Sequence, residues 1–184
     1  MADTTGTSEG RSRMVTGLFR DRESAERAYS SLNSRGYKND DVSLMMSDET
    51  RNKYFADDKD SDKDTGDLGT KAWEGAGKGA AIGAGVGGTL AAIAAIGTTL
   101  ALPGLGLLIA GPLAAGLAGA GTGGLTGGLI GGLVGSGIPE ERAREYEKGV
   151  KEGGILMGVN ARSDDDASYF EEDWRNNRGE HVYR

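Results

Sequence analysis

Apolar and polar positions divide the chain into three regimes. In the first, two short apolar runs, Met14-Val15-Thr16-Gly17-Leu18-Phe19 and Val42-Ser43-Leu44-Met45-Met46, flank a stretch where Ala25, Ala28, Tyr29 and Leu32 recur at i, i+3, i+4 and i+7. That spacing puts the four on one helical face and turns Arg22, Glu23, Glu26, Arg27 and Ser30 to water. Asp21 is a suitable N-cap, Glu23 falls in the first turn, and Gly36 suits the end. Residues 14–47 therefore read as strand, helix, strand, long enough for a crossover. The same regime returns later. Pro139 suits a helix start, Ala143, Tyr146 and Val150 recur at helical spacing, Gly153-Gly154 ends the helix, and Ile155-Leu156-Met157-Gly158-Val159 is a third strand.

The second regime is polar. Residues 48–70, centred on Asp57-Asp58-Lys59-Asp60-Ser61-Asp62-Lys63-Asp64, carry mixed charge without an apolar period, the pattern of a solvated linker. A calcium loop beginning at Asp58 would need Gly at its sixth position and Glu at its twelfth, where the chain has Lys63 and Gly69. Residues 1–13 read as a disordered tail, and residues 163–184 as a polar C-terminal tail punctuated by Tyr169, Phe170, Trp174 and Tyr183. A docking segment folding back on the domain or onto a partner is the alternative for that tail, because Trp and Tyr are enriched at interfaces.

The third regime, residues 71–138, has no charge between Lys78 and Glu140. Gly75, Gly79, Gly83 and Gly87 fall at every fourth position, and so do Gly119, Gly123, Gly127, Gly131 and Gly135. A second register runs through Gly124, Gly128 and Gly132, and Leu102-Pro103-Gly104-Leu105-Gly106 separates the two arrays. The pattern predicts a hairpin of two glycine-striped helices, with regular helix in the second resuming at Pro112. The ten glycines from Gly116 to Gly135 oppose a helix by about 10 kcal/mol relative to alanine. Either a bilayer, which forces backbone pairing, or close helix–helix packing must outweigh that. Gly79 to Leu102 would make a helix of about 36 Å, enough for about 30 Å of hydrocarbon. Sparse Leu, Ile and Val make insertion marginal, so membrane contact and a soluble buried zipper both stay open.

Bulk properties narrow the function classes. The formal net charge of -7 argues against phosphate-backbone binding. The absence of cysteine removes disulfides, thiolate metal sites and cysteine nucleophiles. The N-terminal residues lack the apolar core of a signal peptide, which predicts a cytoplasmic head. Glycine is 33 of 184 residues, and 22 of these lie between Gly75 and Gly137. Two G-x-G-x-x-G matches, at Gly83 and Gly119, lack the preceding strand and the later acidic residue of a dinucleotide site. His181 is the only histidine and is expected to be a solvated tail residue, so no serine triad can be assembled in the body. The expectation is no enzyme activity, cofactor, metal or small-molecule substrate.

Met14 to Ala28, followed by Leu32, Gly36-Tyr37 and Asp40-Asp41-Val42-Ser43-Leu44, resembles the heat-induced general stress protein domain of bacteria (the YflT type). The glycine-rich insertion, Ile138-Pro139-Glu140-Glu141-Arg142-Ala143 and Gly153-Gly154-Ile155-Leu156-Met157 are similar to members carrying a glycine-zipper hairpin. The resemblance covers about Met14 to Ala161 and implies a stress-induced, non-enzymatic protein with no catalytic residues. The expected fold is α+β: a small ferredoxin-like head, β-α-β from 14–47 and α-β from 139–162, interrupted by the hairpin. Neither half can bury its apolar faces alone. Such a head is one strand short, and the resulting open edge adds a second reason to expect a homo-oligomer. The expected setting is a cytoplasmic head associated with the inner membrane through the hairpin, with self-association along Gly75, Gly79, Gly83, Gly87, Gly119, Gly123, Gly127, Gly131 and Gly135.

Overall fold

The computed structural model describes residues 13–55, 100–102, 106–114 and 128–184. The fold is α+β. Its strands are β1 (Met14–Phe19), β2 (Val42–Ser47), β3 (Leu100–Leu102), β4 (Leu107–Ala110), β5 (Ile155–Asn160) and β6 (Glu180–Tyr183). Its helices are α1 (Arg22–Ser34), α2 (Asp48–Phe55), α3 (Gly128–Gly135), α4 (Glu140–Lys151) and α5 (Asp164–Asn176). The strands form one sheet in the order β3-β4-β2-β5-β1-β6, and every neighbouring pair is antiparallel.

Helices cover both faces of this sheet. On one face α1 and α5 pack over Val15, Phe19, Val42, Leu44, Met46, Ile155, Met157 and Val159. On the other, α3, α4 and the turn at 111–114 pack over Leu18, Met45, Leu107, Ile109 and Leu156. Strand residues alternate between the two cores, so β1, β2 and β5 are buried on both sides and mostly apolar, interrupted inside by the small residues Thr16, Gly17, Ser43 and Gly158. Phe19, Phe170 and Trp174 are fully buried in the first core, with the Phe19 and Trp174 rings edge to face at 5.8 Å.

Local signals place most of the elements. Asp21 accepts the Ser24 backbone N–H at 2.8 Å and so caps α1, and Gly36 ends that turn at φ 78°. Ser163 caps α5 in the same way, its hydroxyl accepting the Asp166 N–H at 3.0 Å. Ala143, Tyr146 and Val150 are completely buried beneath α4, as their spacing requires.

Several expectations are corrected. Residues 163–184 are not a polar tail: Phe170, Trp174 and Val182 are buried, and α5 and β6 complete the sheet domain. The sheet has more strands than expected: β6 pairs with β1 and itself becomes the edge on that side. The helix expected to complete the head, at 139–151, is α4, yet it lies on the face opposite α1; the helix beside α1 is α5. The insertion also departs from two plain helices. Leu100–Leu102 and Leu107–Ala110 form an antiparallel strand pair around 103–106, and β4 extends the sheet from β2. Helix resumes at 112, the position Pro112 marks for it. The linker expected from 48 begins with helix α2, which Ser47 caps by accepting the Thr50 N–H at 3.1 Å.

Candidate functional site

Among the predicted packing glycines, Gly75, Gly79, Gly83, Gly87, Gly119, Gly123 and Gly127 lie outside the described residues. Gly131 and Gly135 lie in α3, whose Leu129 and Leu133 are completely buried against the second core. These two leucines fix the helix orientation. They turn Gly132 inward and leave Gly135 and Val134 exposed, with Val134 42% accessible. Among the described residues, a Cβ added at Gly131 or Gly135 would meet no atom within 4 Å. The 119–135 register is therefore open where it can be seen, and the Gly124–Gly132 register turns inward at Gly132. An uncharged, smooth helix surface of this kind lets another backbone approach closely.

Two polar networks, neither visible in the sequence, tie the head together. In one, the Tyr146 phenol on α4 donates to the His181 carbonyl at 2.6 Å and meets the Thr16 hydroxyl at 2.9 Å. Because its single proton goes to His181, the Thr16 hydroxyl is the donor in the second bond. Burial pushes the Tyr146 phenol from 10.0 up to about 12. Beside it, His181 Nδ1 lies 2.5 Å from Glu145 Oε2; the histidine is exposed, as expected, but belongs to edge strand β6 and not to a tail. In the other network, the Tyr37 hydroxyl accepts the Arg162 N–H at 2.7 Å and donates to Asp166 at 2.8 Å. Arg35 meets the same carboxylate at 2.6 Å. The Tyr37 bond, reinforced by Arg35, holds the Asp166 carboxyl below the usual aspartate value, and burial raises the Tyr37 phenol.

A cleft of about 190 Å³ lies near Gly158, between Met14, Ser43, Leu113, Ser136 and Asn160. Its buried hydroxyl, Ser43, accepts the Leu113 N–H at 3.1 Å and so anchors the 111–114 turn. Among the described residues no group of three or more His, Asp or Glu could hold a metal ion. No helix among them is long and apolar enough to cross a membrane. The chain matches no family profile, no curated protein and no solved structure.

Proposed function

We propose that this chain is a non-enzymatic protein of the bacterial stress response, with a ferredoxin-like head that self-associates through its glycine-rich segment and is held at the inner membrane by it. The resemblance of Met14 to Ala161 to the heat-induced general stress protein domain motivates the cellular role. The order β2-β5-β1-β6, with α1 and α5 on one face, supports a ferredoxin-like head extended by β4 and β3. One observation carries the self-association: the uncharged face of α3 formed by Gly131, Val134 and Gly135, which is open among the described residues.

A second reading is a soluble homo-oligomer or filament with the hairpin as its buried core. The anchoring of the second glycine array favours it. Leu113 and Ala114 are buried on the sheet before residue 115, and Leu129 is buried after residue 127. The 13 residues between, 115–127, would make about 20 Å as helix, short of the roughly 30 Å hydrocarbon core.

The Gly131→Leu, Gly135→Leu double variant tests the shared claim. Both positions have room among the described residues, so the folded head is retained while backbone approach at this face is blocked. The expected result is an unchanged circular dichroism spectrum with a smaller assembly by light scattering. An assembly of unchanged mass refutes α3 as the contact. Carbonate-washed membrane fractions separate the two readings: retention supports membrane contact, and recovery as a defined soluble oligomer supports the second.

A further inference from the structure

Strand β6 is short, lies at a sheet edge and is irregularly held. It pairs with β1 at Thr16↔Tyr183 and Leu18↔Glu180, with a register shift between them. The connection from α5 is tight: Gly179 N–H donates to the Trp174 carbonyl at 2.7 Å, and Arg178 is forced to φ 64°. A non-glycine residue in that left-handed region is strained by its Cβ. The Trp174 indole N–H is buried and has no hydrogen-bond partner among the described residues. The unfavourable features of the domain's end are thus concentrated between 174 and 181, where His181 also has φ 49°.

The groove that receives β6 is nevertheless matched to it in charge and shape. Arg20 lies 2.7 Å from Glu180, Glu145 faces His181, Tyr146 donates to the His181 carbonyl, and Val182 is 6% exposed. The Arg142 guanidinium sits 5.7 Å from the Tyr183 ring centre.

We propose that β6 is an exchangeable strand. Residues 180–183 of one copy dock on β1 of a second copy, and the second copy returns its own β6, with Asn177–Gly179 as the hinge. Complementarity selects the occupant: the segment that satisfies Arg20, Glu145 and Tyr146 together is β6 itself, so a second copy restores the groove contacts. Straightening the hinge releases the left-handed backbone at Arg178, whereas the closed monomer retains it. Short strained hinges favour domain swapping for this reason, and mass action makes the exchange depend on concentration. This contact lies at the sheet edge and does not use α3.

Charge reversal across the Arg20–Glu180 pair tests the exchange in the full chain. Arg20→Glu sets a carboxylate against Glu180 of its own chain, and Glu180→Arg sets two guanidiniums together. In a strand-exchanged dimer of one copy of each, both grooves regain opposite charges. Arg20→Glu also repels Glu152, the second partner of Arg20, but that repulsion is the same in either state and does not bias the result. Both variants are made in a Gly131→Leu chain to suppress association through α3. They are mixed, warmed close to unfolding, cooled, and counted by native mass spectrometry. Mixed dimers are expected above the statistical half, with the ratio of mixed to matched dimers raised about tenfold. Separately, Arg178→Gly in the same Gly131→Leu chain relieves the closed hinge and is expected to lower the dimer fraction. Mixed dimers at the statistical half, no dimer at all, or a dimer fraction unmoved by Arg178→Gly overturns the proposal.

Discussion

Replacing Tyr146 with phenylalanine removes one oxygen atom from the join between α4, β1 and β6. The ring is completely buried, and phenylalanine keeps nearly all of its volume. What is lost is the donor to the His181 carbonyl and the acceptor for the Thr16 hydroxyl. Leaving such buried partners unsatisfied costs about 2 kcal/mol. With a urea dependence of about 2 kcal/mol/M, the unfolding midpoint falls by about 1 M. The pH dependence supplies an independent check. Burial raises the phenol from 10.0 in the unfolded chain to about 12 in the folded one. A raised value means the folded state holds this proton more tightly. Its stabilisation is therefore complete below pH 10 and lost as pH climbs towards 12. The rise corresponds to about 3 kcal/mol. Tyr146→Phe lacks this titration, so the stability gap between the two proteins, largest at neutral pH, closes between pH 10 and 12. Tyr29 and Tyr37, also raised by burial, are present in both proteins and drop out of the difference. Urea unfolding at pH 7, 10, 11 and 12 measures the effect. Equal midpoints at pH 7, or a gap that stays constant to pH 12, would refute the reasoning.

Two further substitutions report on the packing and on the acid side. Gly149→Ala places a methyl group into the Leu18 side chain, which is itself completely buried. The expected outcome is a loss of about 1–3 kcal/mol from overpacking, exceeding the roughly 1 kcal/mol of helix propensity gained. A thermal melt shows it, and a Leu18→Val partner substitution should recover part of the loss. For Asp166 the folded carboxyl lies below the ordinary aspartate value of 3.8, chiefly through the Tyr37 bond and then through Arg35. Its stabilisation is present above that value and lost as pH falls through the depressed one. Asp166→Asn should therefore be less stable at neutral pH and show a shallower acid unfolding curve below about pH 4.

The sequence carried the parts of the domain in which neighbouring residues settle their own structure. Asp21, Gly36 and the Ala25–Leu32 stripe mark out α1, and Ala143, Tyr146 and Val150 mark the buried face of α4. The three central strands announce themselves as short, mostly apolar runs. The C-terminal helix was less legible, although Ser163 as cap and Ala167, Phe170 and Trp174 on one face are a helical signal. Charge density hid that period, because the buried stripe of α5 is narrow beside its acids. β3 and β4 were concealed for the opposite reason. Leu100-Ala101-Leu102 and Leu107-Leu108-Ile109-Ala110 show neither alternation nor polar contrast, so a Pro-Gly turn between them reads equally as a helix stop.

By itself, then, the sequence determined local structure wherever period, cap and turn residue agree within a dozen positions. It also singled out the uncharged glycine segment, because composition alone sets that stretch apart. Only the tertiary structure decided which face each helix covers, since α4 and α5 are both amphipathic and either can lie on an apolar sheet. It alone oriented α3, by burying Leu129 and Leu133 and leaving space at Gly131 and Gly135 among the described residues. It alone joined Thr16, Tyr146 and His181, which are separated by 130 and 35 positions along the chain. Contacts over such distances depend on how the sheet closes, and no local pattern of residues encodes that.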